Sequence, residues 1–237
     1  MEQLRHIYIP KGMSHKNIFK LLTLNKLRTL WGMRVGDWLA DDAKMWNFPN
    51  LQKLYLFNIY SRHQLDTIFG SLIKSLNLRK LKLEWDNFSS NLTKLQSLDI
   101  DTLNKHCCKL SALILDGPIK ENDHAIRFPP NLVVLELKWS GIKGHDPFLL
   151  IGNCCPKLKV LKFVNVAYRG TEMRCSAGAY PCLIELVVDC MYELETWVIE
   201  TGALPRLEKL FLYNTRKLTR LPEGLRFVTT LRELILK

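Results

Sequence analysis

One phrase of apolar positions recurs along the chain: a leucine, two variable residues, a large apolar residue, one variable residue, and another large apolar residue. In 51–56 the anchors are Leu51, Leu54 and Leu56; in 132–137 they are Leu132, Leu135 and Leu137; in 207–212 they are Leu207, Leu210 and Leu212. Alternation at the end of the phrase is the period of a strand with one face buried. Leading positions at Leu4, Leu27, Leu51, Leu78, Leu95, Leu110, Leu132, Leu158, Leu183, Leu207 and Leu231 divide the 237 residues into eleven units. A strand of about five residues cannot bury its own apolar face, so neighbouring units must stack and share one core.

Proline marks the approach to several phrases, at Pro49, Pro129, Pro156, Pro181 and Pro205. Its fixed φ and missing amide donor suit the start of a strand rather than its middle. Two of the returns between strands read as helices. Residues 66–75 place Ile68, Leu72 and Ser75 on one face, and 146–152 open with Asp146 as N-cap and Pro147 at the first helical position. Spacing shrinks to 17 and then 15 residues between Leu78, Leu95 and Leu110, where the register is least regular. Asn58, Asn165 and Asn214, with Cys190 in the same slot, follow the last anchor; their side chains are expected to bond backbone groups of the adjoining coil. Recurrence at this period is the signature of leucine-rich repeats. The expected fold class is α/β: a leucine-rich-repeat horseshoe of about eleven repeats, with a concave parallel sheet and an irregular or helical convex side.

With the anchors pointing inward, the alternate residues of each phrase reach the concave face. Tyr8, Trp31 and Tyr55 then hold the same middle slot in three successive coils and form an exposed aromatic stripe. Aromatic side chains on an open face are frequent anchors of protein interfaces, although they also cover one another and the sheet. Lys53, Lys80 and Lys82 form a basic band beside them, Asp99, Asp101 and Asp116 an acidic one, and Met33 is expected to share the face with Trp31. The candidate protein-binding residues are Tyr8, Trp31, Lys53, Tyr55, Lys80, Lys82, Asp99, Lys162 and Phe211.

Composition narrows the function classes. A hydrophobic share of 47% with 24% charged residues supplies a core and excludes a disordered chain. The net charge of +11 is spread over strands and connectors without a basic-aromatic nucleic-acid motif, so no nucleic-acid partner is expected. No apolar run reaches the 18 or so residues that span a membrane, and MEQLRHIYIP already lies within a repeat rather than forming a secretory leader. A cytoplasmic location follows as the expectation, with peripheral membrane contact left open. The seven cysteines contain no C-x-x-C and read as reduced core thiols. His106 beside Cys107 and Cys108 lacks a second ligand cluster, and the sequons at Asn87 and Asn91 read as chance matches. There is no phosphate loop, H-E-x-x-H or G-x-S-x-G, and Asp99-x-Asp101 lacks a convergent third group. No catalytic residues, metal or cofactor are expected.

The words between the leucines carry a more specific signal. The FPPNL run from Phe128, Asp146-Pro147, AYRGTEMRCS from Ala167, ELETWVIETGALPRLEKL from Glu193 and KLTRLPEGL from Lys217 resemble the leucine-rich-repeat region of plant coiled-coil nucleotide-binding disease-resistance proteins. KLRTLWG from Lys26 and SLNLRKLKLEW from Ser75 are similar to that family too, so the resemblance covers nearly the whole chain. It implies an intracellular immune receptor in which the repeats restrain a nucleotide-binding domain and sense a pathogen effector, directly or through a guarded host protein. It also implies that 1–237 is a single repeat domain, a fragment lacking the coiled-coil and nucleotide-binding portions. The alternative from another class is a substrate adaptor of a ubiquitin ligase, which requires an F-box that this chain does not contain.

Overall fold

The computed structural model describes residues 3–11, 24–35, 48–72, 75–86, 98, 100–120 and 126–237. Its strands run β1 (His6–Tyr8), β2 (Thr29–Arg34), β3 (Lys53–Ile59), β4 (Lys80–Trp85), β5 (Ala112–Asp116) and β6 (Val134–Lys138) in the first half. They continue β7 (Val160–Val164), β8 (Glu172–Cys175), β9 (Glu185–Asp189), β10 (Thr196–Ile199), β11 (Lys209–Tyr213) and β12 (Glu233–Leu236). Ten of them form one parallel sheet in the order β1-β2-β3-β4-β5-β6-β7-β9-β11-β12, and β8 pairs with β10 in a second, two-stranded parallel sheet. The fold is an α/β leucine-rich-repeat solenoid.

Register follows the phrase. Lys53 lies opposite Lys80, Lys80 opposite Ala112, Ala112 opposite Val134 and Val134 opposite Val160, one concave column running across the coils. The anchors Leu54, Leu81, Leu113, Leu135, Leu161, Leu186 and Leu210 are fully buried between them. Coils from Leu27 onward approach their described strands through the same turn: the leading leucine donates its N–H to the carbonyl three residues earlier, as Leu51 to Phe48, Leu110 to Cys107, Leu158 to Cys155 and Leu183 to Tyr180. The residue three before is itself buried, which is why Cys107 and Cys155 stand there.

A side-chain ladder is present, but at this turn rather than after the strand. Asn50 donates to the Asn25 carbonyl at 2.7 Å, Asn77 to the Pro49 carbonyl at 3.4 Å and Asn131 to the Cys108 carbonyl at 2.9 Å. The slot after the last anchor serves backbone geometry instead: Asn58, Asn165, Cys190 and Asn214 adopt φ between 50° and 64°. Asparagine tolerates that left-handed region better than most residues. The cross-coil bonds to backbone there come from main-chain N–H groups, Cys190 to the Tyr213 carbonyl and Asn214 to the Lys237 carbonyl, while the Asn214 side chain donates to the Asp189 carboxylate of the preceding coil at 3.1 Å.

Two expectations about the sheet change. β4 pairs directly with β5, so among the described residues the sheet has ten strands, and the phrase at Leu95 adds none. Leu98 makes only an isolated bridge to Ile119, and helix α2 (Ile100–His106) follows at once. The 15 to 17 residue spacing around Leu95 leaves too little chain for two complete coils. Gly32 is the second departure. At φ +89° it shifts the register between Trp31 and Met33, so Met33 pairs with Leu56 and turns into the core at 4% exposure. Arg34 is turned outward in its place.

Helices back some of the coils. α1 (Arg62–Leu72) begins four residues before the expected start at Asp66. Its first turn is a reciprocal capping box: Gln64 donates its N–H to the Ser61 hydroxyl, and the Gln64 side-chain carbonyl accepts from the Ser61 and Tyr60 N–H groups. Ile68 and Leu72 are buried on its inner face. α3 (Pro147–Cys154) opens as the sequence predicts, with the Asp146 carboxylate accepting from the Phe148 and Leu149 N–H groups. Cys107, Cys155 and Cys175 are buried, Cys154, Cys182 and Cys190 half-buried and Cys108 exposed, all as free thiols; only the first three are core residues.

Candidate protein-binding face

The concave columns bring Tyr8, Trp31 and Tyr55 opposite one another on β1, β2 and β3. They are not uniformly exposed. Tyr8 is 65% exposed, Trp31 is half-buried and Tyr55 is 5% exposed, so the stripe sinks into the sheet as it proceeds. Trp31 and Tyr55 meet with ring centroids 5.3 Å apart, and Tyr55 and Phe57 at 6.0 Å. The covering is done by lysines from neighbouring coils: the Lys80 ammonium lies 4.9 Å over Trp31, Lys82 4.3 Å over Tyr55 and Lys11 5.7 Å over Phe57. A cation over an aromatic face is held by the ring quadrupole, with about 0.5–2 kcal/mol according to desolvation. Lys53 is exposed beside them.

Glu84 ties this array together. One carboxylate oxygen accepts the Tyr55 hydroxyl at 2.7 Å, the other accepts the Lys11 ammonium, and Lys82 stands 3.7 Å away. Burial works to raise the Glu84 pKa, but hydrogen bonds from Lys11 and Tyr55 and the charges of Lys11 and Lys82 outweigh it and hold the carboxyl below its ordinary value. Burial, the hydrogen bond to Glu84 and the nearby carboxylates push the Tyr55 hydroxyl well above its ordinary value, so it remains a neutral donor. Sequence reasoning did not single out Glu84, Phe57 or Lys11. Glu84 lies at the edge column of β4, where alternation gives orientation but not its partners, Tyr55 on the adjacent β3 and Lys11 beyond the end of β1.

The acidic band does not assemble. Asp99 lies outside the described residues, as do Leu95, Asn87 and Asn91. Asp101 sits in the first turn of α2, where its carboxylate accepts the Arg127 N–H at 3.4 Å. Asp116 remains on the sheet, opposite Glu84 on one side and Lys138 on the other. Further along, Lys162 is paired with Glu185 at 2.7 Å and Phe211 stacks on Tyr213 at 6.2 Å. These two candidates are therefore far along the sheet from the aromatic and basic group, separated from β3 by at least three strands.

Parallel coils, inward leucines and an open concave face of rings and cations define a leucine-rich-repeat solenoid whose surface is suited to noncovalent recognition. No protein-family model matches the chain. Over its whole length it is nevertheless homologous to plant disease-resistance proteins. It is 29% identical to disease resistance protein RPP8 of Arabidopsis thaliana over 99% of this chain and 25% of that protein. It is 29% identical to disease resistance protein RPH8A of the same plant over 98% of this chain and 24% of that protein. With the probable disease resistance protein RXW24L of Arabidopsis thaliana it shares 27% identity over 100% of this chain and 25% of that protein. The chain thus spans about a quarter of the length of these relatives, and the resemblance carried by the connectors extends across all of it. Among the described residues no helix is long and apolar enough to cross a membrane.

Proposed function

We propose that the chain is a noncatalytic, intracellular recognition and regulatory module of plant defence, a repeat domain that binds other proteins on its concave face. The observation that carries this reading is the array of Trp31, Tyr55 and Phe57 under Lys80, Lys82 and Lys11 on the open face of a chain similar throughout to disease-resistance proteins. Rigid rings already held by neighbours contribute contact area at little entropic cost, and the cations above them select an acidic partner surface. The partners that fit are the nucleotide-binding domain of a resistance protein, restrained by contact with the early coils, and a pathogen effector or guarded host protein read by the later ones. Tyr8, Trp31, Lys53, Lys80 and Lys82 are assigned to the first contact, Lys162 and Phe211 to the second.

The test is capture in trans. The purified chain is mixed with a nucleotide-binding domain of a plant resistance protein as a separate polypeptide, and retention and nucleotide-triggered activity are measured. Trp31→Ala with Lys80→Ala is expected to weaken capture at least tenfold while the β-sheet circular-dichroism signal is retained. Absence of capture by the unmodified chain, or capture indifferent to both substitutions, overturns the proposal.

A further inference from the structure

Away from the concave face, α3 ends on two adjacent thiols. We infer that Cys154 is a covalent attachment site for soft carbon electrophiles, α,β-unsaturated carbonyl compounds that carry a hydrocarbon chain. Cys155 caps the helix, its N–H donated to the Ile151 carbonyl at 2.9 Å, and fills the buried slot three residues before Leu158. That placement leaves Cys154 half-buried at the surface, with its sulfur 3.7 Å from the Cys155 sulfur. Cys154 lines a cleft of about 390 Å³ walled by the apolar Ile126, Phe128 and Leu150, with Arg127 and Asn153 beside it. A hydrocarbon chain fits the apolar wall, and the guanidinium and amide supply donors for a carbonyl oxygen.

The buried thiol sets the reactivity of its half-buried neighbour. Cys155 carries a single S–H with two acceptors in reach, the Pro129 carbonyl at 3.6 Å and the Cys154 sulfur. Turning that proton toward Cys154 stabilises a thiolate there, and the Phe128 N–H assists; together they overcome burial and draw the Cys154 thiol below its ordinary value. Cys155, holding the shared proton in a buried site, is pushed far upward and stays protonated. The charged and titratable neighbours are Arg127 in the cleft and Tyr180, which stacks on Phe148 of α3 at 4.6 Å. The other vicinal pair gives the contrast. Cys107 takes the same buried slot before Leu110 and burial likewise raises it, to about 11, but its exposed neighbour Cys108 follows rather than precedes it. Both pairs are written Cys-Cys; only the second puts the outward thiol on the helix side, over a cleft.

The step needs no oxidant. The Cys154 thiolate forms a C–S bond at the β-carbon, the C=C π pair shifts to give an enolate, and water returns to the α-carbon the proton that the thiol released on ionising. All atoms of both reactants are kept in the adduct.

Intact-mass and peptide mapping of the full chain treated with 4-hydroxy-2-nonenal at pH 7 tests this directly. Cys154 is expected to be alkylated at least tenfold faster than the exposed Cys108, with a rate that reaches half its maximum below the ordinary thiol value of 9.0. Crotonaldehyde, which has the enal without the long chain, is expected to react several-fold more slowly at Cys154. Cys155→Ala is expected to move the half-maximal pH upward, and Cys155→Ser, which restores a donor of similar size, to move it back. Equal rates at Cys154 and Cys108 in the unmodified chain overturn the inference, as does a Cys155→Ala chain that melts like wild type with an unchanged pH profile.

Discussion

On β2 to β4 the lysines lie over rings: Lys80 on Trp31 and Lys82 on Tyr55, with Lys11 on Phe57. On β6 to β12 they lie against carboxylates: Lys138 with Glu136 at 2.7 Å, Lys162 with Glu185 at 2.7 Å and Lys209 with Glu233 at 3.5 Å. The sequence writes both regions with the same alternation and much the same residues, yet their electrostatics differ. A glutamate partner cancels a lysine within the face, whereas a ring holds the cation without neutralising it. The early coils therefore keep a positive field around Arg34, Lys53, Lys80 and Lys82, with Glu84 as the internal counter-charge, and the later coils are locally balanced. The net charge of +11 is the same sum in either reading; the two regions differ in what each lysine rests on.

The largest test of this contrast is in the backbone that builds the early face. A Cβ on Gly32, at φ +89°, would lie 2.0 Å from the Ile9 carbonyl oxygen, while one on Gly178, at φ +74°, meets nothing within 4 Å. Gly32→Ala is expected to cost about 3 kcal/mol or more in urea denaturation, and Gly178→Ala about 1 kcal/mol. Equal costs would show that the bulge is not what seats Met33 and frees Arg34.

Tyr55→Phe comes next. It removes the hydroxyl held by Glu84 at 2.7 Å and is expected to cost about 1–2 kcal/mol, with a rise in the Glu84 pKa readable by carboxyl NMR. A stability unchanged by the missing hydroxyl would reduce Tyr55 to a packing residue.

Acid sharpens the comparison further. Because the folded-state pKa of Glu84 lies below its ordinary value of 4.5, its contribution is fully present above that value and is lost as pH falls through the folded value. Below about pH 4.5, Glu84→Gln is expected to lose less stability than wild type on further acidification. Parallel curves for the two chains would remove Glu84 as the tie of the array.

The smallest effects separate the two kinds of lysine. Lys80→Ala and Lys162→Ala are each expected to cost under about 1 kcal/mol, but raising sodium chloride to about 0.5 M should erase the second difference and spare more of the first. Identical salt responses would mean that the rings are not holding the cations.

The strands, their inward leucines and the concave columns were legible because a period of two leaves one orientation once the leucines are buried, as the unbroken Tyr8–Trp31–Tyr55–Lys82 register shows. The helix at Asp146-Pro147 was legible from its cap. The α1 start was missed although Ser61 and Gln64 write a capping box, because the apolar spacing drew the boundary to Asp66. Gly32 hid the fate of Met33, since counting in twos cannot see a left-handed residue. Above all, Tyr55 reads as exposed from alternation alone. Its burial comes from Trp31 on the preceding strand and Lys82 on the following one, and contacts between coils are not written within any single phrase.

The second, two-stranded sheet also bears on how the solenoid bends. Neighbouring strands stand about 4.8 Å apart, while packed helices need about 8–10 Å between axes. A coil with a strand on the sheet side and a helix behind it is a wedge, and wedges accumulate into an arc. Where β8 and β10 pair behind β7 and β9, both sides take strand spacing and the wedge disappears. That spacing favours a tighter arc where α1 and α2 back the sheet and a flatter one where β8 and β10 pair. A convex or slender surface fits the first of these regions and a broad one the second.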